Sequence, residues 1–157
     1  MDHLEIFNLQ MRVVILLLLI STCYGLWFIG REQSIGVKGK LVCNGMPAEG
    51  VKVKLREKEI FLDRELDQGE TDAHGEFKLW GSAREISKID PQLNIYHKCN
   101  YRGPCYKKLS VGIPSKYIVK GNKVDLDKYY DIGTLELSMK TKGQTIDCIN
   151  YLPPIHG

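Results

Sequence analysis

The chain has 157 residues, 43% of them hydrophobic and 26% charged, with a formal net charge of +3. That length suggests one domain, and the balance is that of a globular protein rather than a disordered one. So small a charge fits weak attraction to anionic surfaces and is far too small to argue for a nucleic-acid binder.

The first element is MRVVILLLLISTCYG, from Met11 to Gly25. Arg12 supplies a basic start, Val13 to Ile20 are unbroken apolar residues, and Cys23 and Gly25 stand where the small residues of a cleavage site belong. This is the pattern of a secretory signal peptide. The expectation is a cleaved segment 1–25, a mature domain 26–157, and export from the cell. Met11 is a more conventional start than Met1, the first ten residues then being an extension. The competing reading is a retained anchor from Val13 to Ile29, but Ser21, Thr22, Tyr24 and Gly25 interrupt it, and a span needs about 20 mostly apolar residues. Cleavage removes Cys23 and leaves Cys43, Cys99, Cys105 and Cys148, an even set that reads as two disulfides in an oxidising compartment.

Short alternating runs separated by Gly, Pro, Asn and Asp follow, so the fold class is all-β, a sandwich or barrel. In IGVKGKLVC, residues Ile35, Val37, Leu41 and Cys43 share one face. NGMPAEG is a turn, led by Asn44-Gly45. In VKVKLREK, Val51, Val53 and Leu55 point inward and Lys52, Lys54, Arg56 and Lys58 outward. IFLDRELDQGE reads as a short or edge strand followed by a loop. TDAHGEFKLWG is a turn into a strand, with Phe77 and Leu79 facing the core. SAREISK predicts one short helix, capped by Ser82 with Glu85 three residues on. DPQLNIYHKC places Leu93, Ile95, His97 and Cys99 on one face. KKLSVGIP carries Leu109, Val111 and Ile113 and stops at Pro114. DIGTLELSM turns Leu135, Leu137 and Met139 inward, and a polar tail holding Cys148 ends in PPIHG. The core is expected between two facing sheets.

Taken together, GVKGKLVCNGMPAEGVKVKLRE, ETDAHGEFKLWG, PQLNIYHKC and IPSKYI resemble the nematode transthyretin-like family of secreted proteins, over Ile35 to Cys148. The most specific marks are G-x-L-x-C, the Asn-Gly-x-Pro-Ala turn, Thr-Asp-x-x-Gly-x-Phe, and His97-x-Cys99. The resemblance implies a transthyretin-like, immunoglobulin-like β-sandwich with one short helix and an extracellular life. Vertebrate transthyretin, similar in fold, carries thyroid hormone in a channel between subunits, and Lys38 falls where that channel has a lysine; the rest of the channel is not recognisable. One nematode member bridges phosphatidylserine on dying cells and an engulfment receptor. The function implied is a secreted, non-enzymatic binding protein. Its partner would be a small apolar molecule, a phosphatidylserine-type lipid head group, or an extracellular protein such as a cell-surface receptor.

Cys99 and Cys105 bracket YHKCNYRGPCYKK; a zinc site would need His97 and His74, but zinc ligands usually come in closer cysteine pairs. A disulfide closing the hairpin is expected, with Cys43 and Cys148 joined by elimination, although four cysteines permit three connectivities. Tyr101-Arg102-Gly103 resembles the C-terminal Tyr-Arg-Gly-Ser of transthyretin-related hydroxyisourate hydrolases. Here it lies mid-chain and the chain closes on Pro154-Ile155-His156-Gly157, so that enzymatic alternative is disfavoured. His97 reads as a core histidine making one hydrogen bond, and His74 as a solvated turn residue. Ser82 and Ser110 have no evident base. Asp125, Asp127 and Asp131 lack the glycine and terminal glutamate of a calcium loop. No catalytic residue, cofactor or metal is assigned. Lys52, Lys54, Arg56 and Lys58 form a stripe that suits anionic head groups, or else an ordinary solvated strand face. A third class, an extracellular structural protein acting through its sheet edges, stays open.

Overall fold

Strand β1, Arg31–Cys43, is the axis of a computed structural model that describes residues 3–27, 30–59 and 63–149. It is preceded by helix α1, His3–Trp27, whose apolar side chains from Ile6 to Ile20 are exposed. No helix among the described residues is long and apolar enough to cross a membrane. Asn44 and Gly45 both adopt positive φ (54° and 77°), the geometry of the tight hairpin turn that Asn-Gly favours. They return β1 into the two-residue strand β2, Met46–Pro47.

The remaining strands are β3 (Lys52–Glu57), β4 (Arg64–Glu70), β5 (Glu76–Glu85), β6 (Pro91–His97), β7 (Tyr106–Gly112), β8 (Val119–Lys120), β9 (Tyr130–Glu136) and β10 (Thr145–Asp147). In the first sheet β1 pairs with β5 on one side and, on the other, antiparallel with β8 and parallel with β9. The second sheet runs β10-β7-β6-β3-β4, antiparallel throughout. Alternation drives both. Ile35, Val37 and Leu41 of β1, Val53 and Leu55 of β3, and Leu93 and Ile95 of β6 are fully buried between the sheets. Each such side chain contributes roughly 1.5–3 kcal/mol by leaving water. The all-β sandwich expected from the pattern is the fold observed, and β4 is the edge strand expected of IFLDRELDQGE, whose residues 60–62 lie outside the described set.

Two expectations are corrected. The short helix at Ser82 does not form: β5 continues through it to Glu85. β1 begins as early as Arg31, so Ser34 faces Ser82, Gln33 faces Ala83 and Arg31 faces Glu85. Phe77, Leu79 and Ala83 keep the inward alternation, and this long-range ladder overrides the local capping signal. The Gln33 side chain then receives the chain as it leaves β5, donating to Ser87 O at 2.6 Å. Met139 is 63% exposed rather than inward, because β9 ends at Glu136 and the alternation ends with it.

Candidate binding surface

Two disulfides fix one end of the sandwich. Cys43 bonds Cys99, and Cys105 bonds Cys148; the expected pairs Cys99–Cys105 and Cys43–Cys148 are not formed. The β6–β7 register, His97 opposite Lys107, would bring Cys99 opposite Cys105 had the ladder continued. It stops instead at His97. A turn in which Tyr101 N–H donates to Lys98 O carries Cys99 across to the end of β1, with Asn100 at positive φ. Asn44 and Asn100 then exchange two amide hydrogen bonds of 3.0 and 2.9 Å beside the sulfurs. Cys43–Cys99 therefore links the two sheets. Cys105–Cys148 secures β10 to β7, where Tyr106 faces Asp147.

Glu136 escaped the sequence reading. From the end of β9 its carboxylate accepts the N–H groups of Asn44 and Gly45, at 2.9 and 2.8 Å, and of Ser138 at 2.8 Å. Hydrogen bonds from Ser138, through side chain and backbone, and then from Gly45 and Asn44, bring its pKa down to about 2. The signal was a lone acid some ninety residues from its turn, which no local pattern connects.

The cation stripe is only partly realised. Lys52, Lys54 and Arg56 share the outer face of β3, whereas Lys58 lies past the strand's end. Lys54 is ion-paired with Glu65 at 2.9 Å, and Arg56 donates to Asp63 O at 2.9 Å. Lys52 lies over the Tyr106 ring, 5.7 Å from its centre. Much of the stripe is therefore engaged within its own sheet. Nearby, Arg64 gathers Glu57, Glu59 and Glu85. Burial pushes the Glu57 carboxyl up, against the pull of Arg64.

Other candidates resolve simply. Ser110 donates to Asn94 Oδ1 at 2.7 Å and Ser82 to Glu32 at 3.4 Å, neither with a histidine. His74 is exposed in the turn closed by Asp72, whose carboxylate accepts its N–H. Asp125 pairs with Lys128, and Asp131 with Lys38 and the Gly133 N–H; they do not converge on one point. Arg102 is exposed in its loop, and the chain end 150–157 lies outside the described residues.

The structure assembles something the sequence did not declare: a groove of about 590 Å3 on the outer face of the first sheet. Lys38 of β1 stands directly opposite Lys78 of β5, and opposite Asp131 of β9 on its other side. Lys40, Asp72 and Glu76 complete the charged wall. Among the described residues Lys38 alone of the three lysines is ion-paired, with Asp131 at 3.6 Å. Lys78 lies 5.1 Å from the centre of the Tyr129 ring. That ring is seated on Gly36, where a Cβ would fall 2.7 Å from it. Like charges facing across a ladder are destabilising, so an arrangement that holds Lys38 and Lys78 together is suited to receiving an anionic group.

Fold and disulfides define a small β-sandwich of two sheets tied by two cystines. The pattern that defines the Transthyretin-like family matches residues 38–114. Transthyretin-like protein 5 of Caenorhabditis elegans is 42% identical over 143 residues, which is 89% of this chain and 100% of the relative. Transthyretin-like protein 2 of the same organism is 43% identical, covering 85% of this chain and 95% of its own length. Transthyretin-like protein 46 is 42% identical, over 78% of this chain and 69% of its own. The chain belongs to the transthyretin-like family. The family resemblance and the β-sandwich it implied are thus both found.

Proposed function

We propose that this is a secreted, non-enzymatic binding protein whose ligand is a small head group carrying both signs of charge, as a serine phospholipid does, received in the groove of the first sheet. Lys38 facing Lys78, with Asp131 beside them, is the observation that carries the reading. The paired ammoniums meet a phosphate, and the acids at the rim meet an amine. Export is supported by the apolar segment at Met11–Gly25 and by two disulfides, which form in oxidising compartments. A non-enzymatic role is supported by cysteines joined in pairs and serines bonded to amide or carboxylate. The charged wall favours a head group over a wholly apolar molecule in this groove.

The test is co-sedimentation with vesicles of phosphatidylcholine containing increasing phosphatidylserine. Binding should rise with serine lipid and weaken with salt. Lys38→Glu/Lys78→Glu should lower affinity at least tenfold, while Lys54→Glu, on the opposite sheet, leaves it within about twofold. Equal losses from both variants would return the site to the β3 stripe. Indifference to lipid composition and to salt would end the lipid reading altogether.

A further inference from the structure

We propose that a cleft at the start of β1, away from the Cys43–Cys99 bond, binds a small anionic amphiphile: a carboxylate on a short apolar chain. The carboxylate meets Arg31, Lys88 and Lys120, and the chain lies against Ile86 and Ile118. The site is separate from the outer groove, and its ligand carries one sign of charge only.

Strand pairing brings these residues together from three segments. β1 opens at Arg31 and reaches Cys43 only at its far end. Arg31 and Gln33 continue the inward phase of Ile35 and Val37, since alternate residues of a strand share a face. The outer groove instead takes Lys38, from the other face. Lys120 of β8 stands opposite Gln33, so it shares the inner face and lies diagonal to Arg31. Ile118 is in phase with Lys120. On the other side β5 ends at Glu85, opposite Arg31, and the chain leaves through Ile86 and Lys88. Gln33 fixes that exit: its amide donates to Ser87 O at 2.6 Å and accepts the Ile89 N–H at 3.4 Å. The cleft measures about 260 Å3, enough for roughly eight non-hydrogen atoms at ~30 Å3 each.

The sign of the occupant follows from the wall. Arg31, Lys88 and Lys120 are its charged members, and the rest, including Gln33, Ser87, Ser115 and Val119, is uncharged. All three cations are exposed, and among the described residues none of them makes an ion pair. The flanking acids are engaged or turned away. Glu85 holds Arg64, and Glu32, on the opposite face of β1, holds Arg84 at 3.2 Å. Asp90 is not part of the wall. From Pro91 to Val124 the sequence has no acidic residue, so β8 brings a lysine and no counter-charge. Cations gathered without an acid between them concentrate anions, and the guanidinium fork of Arg31 matches a carboxylate. The apolar part of the ligand follows from Ile86, 74% exposed, and half-buried Ile118 at the same cleft. A hydrated ion would leave both wet, whereas an alkyl chain covers them.

The experiment is an NMR titration of the oxidised full chain with hexanoate, with 1-hexanol and inorganic phosphate as the chain-only and charge-only counterparts. Saturable shifts at millimolar hexanoate are expected at the amides of Ile86, Ile118 and Lys120, weakened by salt, with hexanol and phosphate each at least about fivefold weaker. Arg31→Gln/Lys120→Gln, at two exposed positions, should lower hexanoate affinity at least about fivefold while the melting temperature stays within a few degrees. Ile86→Ser should weaken hexanoate and leave phosphate unchanged. Phosphate binding as tightly as hexanoate would mean an adventitious ion only, and hexanol binding as tightly would mean that the cations take no part. Shifts centred on Lys38 and Lys78 would move the anion to the outer groove. Each of these results, the absence of a saturable shift, or full affinity in the double variant would overturn the assignment.

Discussion

Replacing Cys43 and Cys99 by alanine should cost about 4 kcal/mol of stability, because the bond closes a loop of 56 residues in sequence separation. For a domain of this size that lowers the melting temperature by on the order of 15 °C. The loss has two physical parts. Opening the loop restores freedom to the unfolded chain. The folded state also loses the covalent tie between its sheets at the end where Asn44, Asn100 and Glu136 organise the turns. The Cys105–Cys148 separation of 43 gives nearly the same unfolded-state term, but that bond joins neighbours in one sheet. Its removal should therefore release β10 and leave the sandwich interface intact. Thermal melts of the two double-alanine variants, with hydrogen exchange at residues 145–147, separate these outcomes. Non-reducing peptide mapping should recover Cys43 joined to Cys99. A Cys99–Cys105 peptide, or a loss below about 1 kcal/mol in the first variant, contradicts the pairing.

The contrast between expected and observed pairing shows what kind of information a sequence holds. Alternation is local and physical: Val51, Val53 and Leu55 could point only one way from a half-buried strand, and they do. His97 was equally legible, since a histidine in phase with Leu93 and Ile95 belongs inside, and it is buried with one side-chain bond, to Gln144. The Asn44-Gly45 turn announced itself by residue type alone.

Ladder ends are a different matter. Whether Cys99 meets Cys105 depends on where β6 stops, and that is decided by the Lys98–Tyr101 turn and by the approach of β1 from 56 residues away. Ser82 shows the same limit in reverse. Its capping signal was real, but its partner Ser34 lies nearly fifty residues earlier and the ladder between them is stronger. The groove is a product of register too. Lys38 and Lys78 become neighbours only once β1 and β5 pair, and a one-residue slip would turn one of them into the core. Binding surfaces of this kind are written in pairings between strands, so a strand-by-strand reading finds the cations of β3 and passes over the two that face each other.

His97 should also make the fold acid-sensitive above the range in which carboxylates titrate. Burial, reinforced by Lys107, lowers its pKa from 6.5 to about 4. The unfolded chain therefore takes up a proton on this ring before the folded one does, and stability rises with pH across that interval. The neutral-ring stability is fully present above about pH 6.5 and is lost as pH falls toward about 4, a total on the order of 3 kcal/mol. Glu136 acts in a separate window, its contribution present above the ordinary carboxylate range and lost as pH falls toward about 2. Urea denaturation at intervals between about pH 7 and pH 4 should show the wild-type loss. His97→Gln, which cannot take the proton, should flatten the curve over the same interval whatever its stability at neutral pH. A variant curve as steep as the wild type's would mean that the ring reaches water when charged, and that Gln144 does not hold it inside.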